Sequence, residues 1–265
     1  MNHKHLALVT GASSGIGAAL AEMFAMQGFD LVITARREDR LRVIAASIRE
    51  RHGVAVDVVP ADLASPGAVA VLCTEIARRG LAVDAFVNSA GFGVPGRYDR
   101  ASWEAQAALL QVMVTSMAEL THRLLPGMLD RRYGWILNVA SLAGLLPAPA
   151  GHTLYPAAKA LVVRFSEALS EEVRGHGVHV TAVCPGFTLT EFHDVTDTRH
   201  LVNRLPGFMW SDAADVAAEA YEAVMRGRAL CVPGRVNRVM AFVGRHLPSV
   251  FAVFQRRYSW SFRKI

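Results

Sequence analysis

Lysine is almost missing from this chain. Of its 28 Lys and Arg residues only Lys4, Lys159 and Lys264 are lysines, so Lys159 alone lies away from the ends. Cysteine is scarce too. Cys73, Cys184 and Cys231 are odd in number and widely spaced, with no C-x-x-C pair. That fits reduced thiols in a cytosolic protein and argues against a disulfide framework. No apolar run reaches the ~20 clean residues of a membrane span. The nearest, 236–254, is interrupted by Arg238, Arg245, His246 and Pro248, and the opening "MNHKHLALVTG" lacks a signal-peptide layout. A dense basic run is absent as well. The net charge of +5 is scattered over single and paired arginines, which argues against a nucleic-acid partner. Anionic small molecules or an acidic membrane surface remain as partners.

What is present is apolar: 52% of the 265 residues are hydrophobic and mean hydropathy is +0.26, enough for a sizeable core. The runs "HLALVT" (5–10), "DLVITA" (30–35), "VAVDVVP" (54–60), "VDAFVN" (83–88), "WILNVA" (135–140), "VHVTAVC" (178–184) and "ALCVP" (229–233) read as strands covered on both faces. Helical patterns over 15–27, 38–52, 66–79, 102–131, 153–174 and 212–226 alternate with them. This alternation predicts a single-domain α/β fold, a Rossmann-like doubly wound parallel sheet with helices on both faces. The main sheet unit is expected over residues 1–234, with a C-terminal amphipathic helical extension of the same domain over 235–265. Ligands of such sheets bind at the carboxyl ends of the strands.

Just past the first strand stands "TGASSGIG". Gly11, Gly15 and Gly17 permit a tight turn, and a helix opening near Ile16 aims free N–H groups and its positive end at a pyrophosphate. Gly11, Ser13 and Gly15 also spell G-x-S-x-G, a nucleophile elbow, so a serine hydrolase using Ser13 is a rival reading. Its weakness is position: no earlier loop could supply part of an oxyanion hole, and no pattern supports His200 or His246 as a base. The second strand ends in "ITARRED". A dinucleotide site that takes the plain ribose has an acid there; Arg36 and Arg37 instead suit a 2′-phosphate and so NADP(H). In "HTLYPAAKALVV", Tyr155 and Lys159 stand one helical turn apart. Such neighbours are common, but a compact ammonium can approach a phenol and favour its ionised form as a guanidinium cannot. Pro156 is tolerable if Thr153 caps the helix, since first-turn N–H groups have no intrahelical partners.

The glycine turn, Arg36, "NSAG" at 88–91, Ser141, Tyr155 with Lys159, and "PGFTLT" at 185–190 occur in this order at these spacings. Together they resemble the short-chain dehydrogenase/reductase family over residues 5 to about 234, in particular a bacterial branch with many members of unassigned substrate. The resemblance implies an NADP(H)-dependent oxidoreductase of the carbonyl reductase or alcohol dehydrogenase type, working as a homodimer or homotetramer. Tyr155 would be the acid or base, Lys159 its activator and ribose ligand, and Ser141 the holder of the substrate oxygen. The cofactor would lie against Gly11, Ser13, Ser14, Gly15, Ile16, Gly17, Arg36, Arg37, Asp62, Leu63, Asn88, Ala90, Gly91, Tyr155, Lys159, Pro185, Gly186, Thr188 and Thr190. Among these, Thr190 would touch the nicotinamide amide and Asp62 the adenine, while Asn88 could serve only to tie strands together.

Two departures stand out. The family's relay asparagine is matched by Met113 in "LLQVMVTSMAEL", and the second Asn of the usual "NNAG" turn by Ser89. A thioether is a poor acceptor and no donor, so a cofactor-binding protein with weak or no catalysis is the alternative, unless the backbone carbonyl of residue 113 holds the relay water. Residues 187–210 carry Phe187, Phe192, Leu201, Leu205, Phe208, Met209 and Trp210, which Phe92, Leu142 and Leu145 could join. They suit a bulky hydrophobic ketone or secondary alcohol, or equally the protein's own core. His193, Asp194, Asp197 and His200 match no metal spacing. The tail predicts two short amphipathic helices around Pro248. Their apolar face could meet an anionic membrane, with burial or subunit contact the expected arrangement.

Overall fold

Each of the seven apolar runs becomes a strand of one parallel sheet. The computed structural model describes residues 4–148, 150–151, 153–192 and 206–249. Its strands are β1 (Leu6–Thr10), β2 (Asp30–Thr34), β3 (Val56–Val58), β4 (Ala85–Asn88), β5 (Gly134–Val139), β6 (Val178–Val183) and, beyond a short extra pair, β9 (Leu230–Cys231). Their order is β3-β2-β1-β4-β5-β6-β9. Every ladder is parallel, with Thr10 level with Asn88, and Asn88 with Asn138. The order reverses direction between β1 and β4, which opens a crevice at the carboxyl ends of those strands.

Helices cover both faces: α1 (Gly15–Met26), α2 (Glu38–His52), α3 (Ala68–Arg78), α4 (Trp103–Leu110), α5 (Ser116–Arg131), α6 (Leu154–Glu172), α7 (Ala213–Met225) and α8 (Arg235–His246). Burial on both sides explains the continuous apolar runs. Val9, Leu31 and Val87 lie in one core cluster with α1 and α7, while Leu8, Val32 and Phe86 lie in another with α3 and α5. A fully buried Leu or Phe of this kind stabilises the fold by about 2 kcal/mol. At the opposite end of the sheet from the crevice, buried Asp84 accepts the Leu6 N–H at 3.1 Å, with Arg131 at 3.6 Å.

Two local features differ from the sequence reading. The single long helix expected over 102–131 is broken by a π turn, Gln111–Thr115, closed by a bond from the Ser116 N–H to the Gln111 carbonyl. And "PGFTL" contributes β7 (Phe187–Leu189), which pairs with β8 (Trp210–Asp212) as a separate two-stranded sheet. Residues 193–205 and 250–265, with His193, His200, Leu201, Leu205 and the second tail helix, lie outside the described residues.

Candidate active site

The first wall of the crevice is the glycine turn after β1. Gly11 has φ +67°, and a Cβ there would stand 2.8 Å from the Ala90 N. A Cβ on Gly17 would overlap the Gly11 carbonyl oxygen. Only glycine allows strand, turn and helix to close this tightly. Thr10, whose side chain the sequence reading left without a role, fixes the neighbouring segment. Its hydroxyl oxygen accepts the Ser89 and Ala90 N–H groups at 3.1 and 3.2 Å and donates to Asn88 Oδ1 at 3.3 Å. Asn88 is therefore held as a tie between strands.

α1 starts at Gly15 with no side-chain cap from Ser14 and no acid in its first turn. Its N–H groups and positive end are thus left for an anion. Arg37 faces this turn, Nη2 donating to Ser13 Oγ at 3.2 Å and Ser14 Oγ at 3.0 Å. Its Nη1 reaches Glu191 at 3.2 Å, which Arg40 also binds at 2.6 Å. Of the two arginines, Arg37 is brought to the turn and Arg36 is exposed. Ser13 is engaged by Arg37, and no histidine hydrogen-bonds it among the described residues. A nucleophilic serine needs a base, and these contacts give the elbow reading of Ser13 no support. Ile16 packs against the core, Asp62 is exposed, and Leu63 is buried with its carbonyl held by Ser116 at 2.8 Å.

Across the crevice, β5 runs into Ser141 and a short turn, Leu142–Gly144, that lies on α6. A Cβ on Gly144 would come within 2.7 Å of the Lys159 backbone. α6 begins at Leu154, so Pro156 falls in its first turn, although Thr153 makes no side-chain cap. Tyr155 and Lys159 then face the end of β5. Lys159 is 7% exposed and donates to the Val139 carbonyl at 2.7 Å, its Nζ 5.8 Å from the Tyr155 ring centre. Burial lowers its pKa to about 8. Burial also raises the Tyr155 phenol to about 12, opposed by a side-chain hydrogen bond with Ser141. At neutral pH, therefore, the phenol keeps its proton and the lysine is close to exchanging one. Cys184, just past the end of β6, is fully buried beside this pair, its thiol raised to about 12 by burial.

Met113 occupies the π turn with 2% exposure. From a Cβ position on Gly91, its Sδ and Lys159 Nζ are both 3.6 Å away. The remaining residues close the crevice. The Pro185 carbonyl accepts the Leu142 N–H at 2.8 Å, Thr188 is buried and bonded to the Gly186 carbonyl at 3.2 Å, and Thr190 comes within 3.1 Å of a Cβ position on Gly15. Phe192 lies 5.7 Å from the Tyr155 ring, centre to centre, and Phe187 packs at the same distance on Trp210. Leu142 is buried and Phe92 packs on the core, whereas Phe208 is exposed.

A glycine cradle that excludes side chains, an uncapped helix N-terminus with an arginine beside it and a buried lysine form a site that fits a phosphorylated nucleotide. The sequence profile described as short chain dehydrogenase matches residues 5–200. Sulfoacetaldehyde reductase 2 of Chromohalobacter salexigens is 32% identical over 254 residues, covering 94% of this chain and 98% of that protein. A short-chain dehydrogenase from Sphingobium yanoikuyae, solved in complex with NADPH, superposes with a TM-score of 0.81 at 31% identity, covering 93% and 94% of the two chains. The bulky-bulky ketone specific alcohol dehydrogenase from Comamonas testosteroni gives 0.77 at 28% identity, covering 94% of each. Fold, cradle and profile agree: the chain belongs to the short-chain dehydrogenase/reductase family of oxidoreductases.

Proposed function

We propose that this protein is an NADP(H)-dependent oxidoreductase that interconverts a bulky hydrophobic ketone and its secondary alcohol. The observation that carries the reading is the buried Lys159 with its Nζ 5.8 Å from the Tyr155 ring centre, at the strand ends facing the glycine cradle. Arg37 on Ser13 and Ser14 supports the 2′-phosphate, as does the NADPH of the Sphingobium relative. Phe192 against Tyr155 supports an apolar substrate, as does the ketone preference of the Comamonas relative.

In this reading Gly11, Gly15 and Gly17 let the backbone approach the pyrophosphate, and Lys159 holds the ribose. The bound nicotinamide supplies or accepts the hydride. Ser141 positions the substrate oxygen, and Tyr155 gives that oxygen its proton in reduction or takes it in oxidation. The proton leaving Tyr155 is replaced by way of Lys159. Met113 favours a second reading, cofactor binding with little turnover, because a thioether stands in the lysine's surroundings where the family has an amide. Three free thiols suit a reducing cytoplasm, and the family resemblance supports a homodimer or homotetramer.

The test is NADPH oxidation across a panel of hydrophobic ketones beside NADH. Turnover with NADPH, weaker with NADH, is expected. Tight NADPH binding without turnover of any ketone would favour the second reading, and no nucleotide binding would sink both.

A further inference from the structure

The apolar face of a surface helix ordinarily lies against its domain. α8 is turned the other way. Its two buried residues are Asn237 and Gly244. Asn237 donates to the Pro233 carbonyl at 2.8 Å and presses on Gly186, while Gly244 lets the helix settle on Leu146. Met240 and Val243 are half-buried, but Val239 and Phe242 are each 64% exposed, and Val236 and Leu247 are exposed with them. Phe208, 70% exposed, stands on the neighbouring turn Gly207–Met209. Of the two expected arrangements, burial or subunit contact, burial within the chain leaves Val239 and Phe242 uncovered.

Charge identifies what such a face suits. Residues 235–265 hold seven of the chain's 28 Lys and Arg and none of its 23 Asp and Glu, so residues 1–234 carry 21 bases against 23 acids. The whole positive surplus belongs to α8 and the stretch after it, which also contains Phe251, Phe254, Tyr258, Trp260 and Phe262. Arg238 is tied to Glu219 at 2.9 Å, but among the described residues no acid pairs with Arg235 or Arg245. A symmetric contact with a second copy would bring two such basic segments together, which electrostatics disfavours. Nucleic acid would neutralise the arginines but leave the Val239–Phe242 stripe in water. A bilayer with anionic headgroups satisfies both.

We propose that α8 docks the protein on an anionic lipid surface. Among the described residues no helix is long and apolar enough to cross a membrane, so the contact is peripheral. Because α8 rests on Gly186 and Leu146, docking sets the Ser141 and Thr188 side of the crevice near the bilayer.

The test is co-sedimentation of the full chain with vesicles of phosphatidylcholine alone and of phosphatidylcholine with phosphatidylglycerol, with light scattering in parallel. The wild type should bind only the anionic vesicles, and less as salt rises. Val239→Asp with Phe242→Asp should weaken binding by at least about tenfold, and Arg235→Gln or Arg245→Gln by about fivefold each. NADPH binding should be unchanged in all of them. Absence of wild-type binding, equal binding to both vesicles, or binding that survives the double aspartate variant would overturn the proposal. So would a dimer that the aspartates dissociate without any vesicle binding, or capture by duplex DNA in its place.

Discussion

The sulfur of Met113 and the ammonium nitrogen of Lys159 both face Gly91, each 3.6 Å from the point where a Cβ would stand. The lysine that would pass a proton to Tyr155 therefore has a thioether as neighbour. Met113→Asn adds a group that can donate and accept there. On the relay account kcat rises, by about tenfold at most, with NADPH affinity unchanged. Steady-state kinetics beside a nucleotide titration checks this.

Arg37 bonds two hydroxyls of the glycine turn. A hydrogen bond to a charged group contributes about 1.5–3 kcal/mol, so Arg37→Ala should weaken NADPH about 10- to 100-fold and leave NADH nearly unchanged. Fluorescence titration with both nucleotides measures it. Arg36→Ala, removing an exposed side chain, should do far less.

Gly17 has no room for a methyl group against the Gly11 carbonyl. Gly17→Ala should lower stability by about 1–3 kcal/mol and abolish nucleotide binding. Chemical denaturation and the same titration report the two effects.

Lys159 has a pKa of about 8 in the folded chain against 10.5 when free. The unfolded chain binds the extra proton between those values, so this group's contribution to stability rises with pH from about 8 to 10.5. Below that window wild type bears the full penalty of a buried ammonium. Lys159→Met should therefore be the more stable protein at pH 7, by roughly 1–3 kcal/mol. The gap should narrow as pH climbs toward 10.5. Urea unfolding at pH 7, 9 and 10 decides the sign.

Much of this architecture was legible in the residues. The strands announced themselves because a sheet covered on both faces needs unbroken apolar runs, and "TGASSGIG" could be placed because it falls between a strand and a helix. The π turn was not legible. "LLQVMVTSM" contains neither glycine nor proline to mark it, and the turn lies against α6, a contact distant in sequence. Which of Arg36 and Arg37 turns inward depends on the chain's path out of β2, which neighbouring identical residues cannot reveal. Amphipathicity showed that α8 has an apolar face but not that Asn237 and Gly244 would take the side against the domain. Close approach to Gly186 and Leu146 decided that. β7 and β8, three residues each, are too short to show a pattern.

In the proposed reaction the proton passes through the Tyr155 hydroxyl. The direct measurement is turnover by Tyr155→Phe on whichever ketone the wild type reduces, with NADPH binding titrated in both proteins. The variant should bind NADPH as the wild type does and lose at least about 100-fold in kcat, since the ring stays and only the hydroxyl goes. Turnover within a few-fold of wild type, with binding intact, would contradict the claim that this phenol carries the proton.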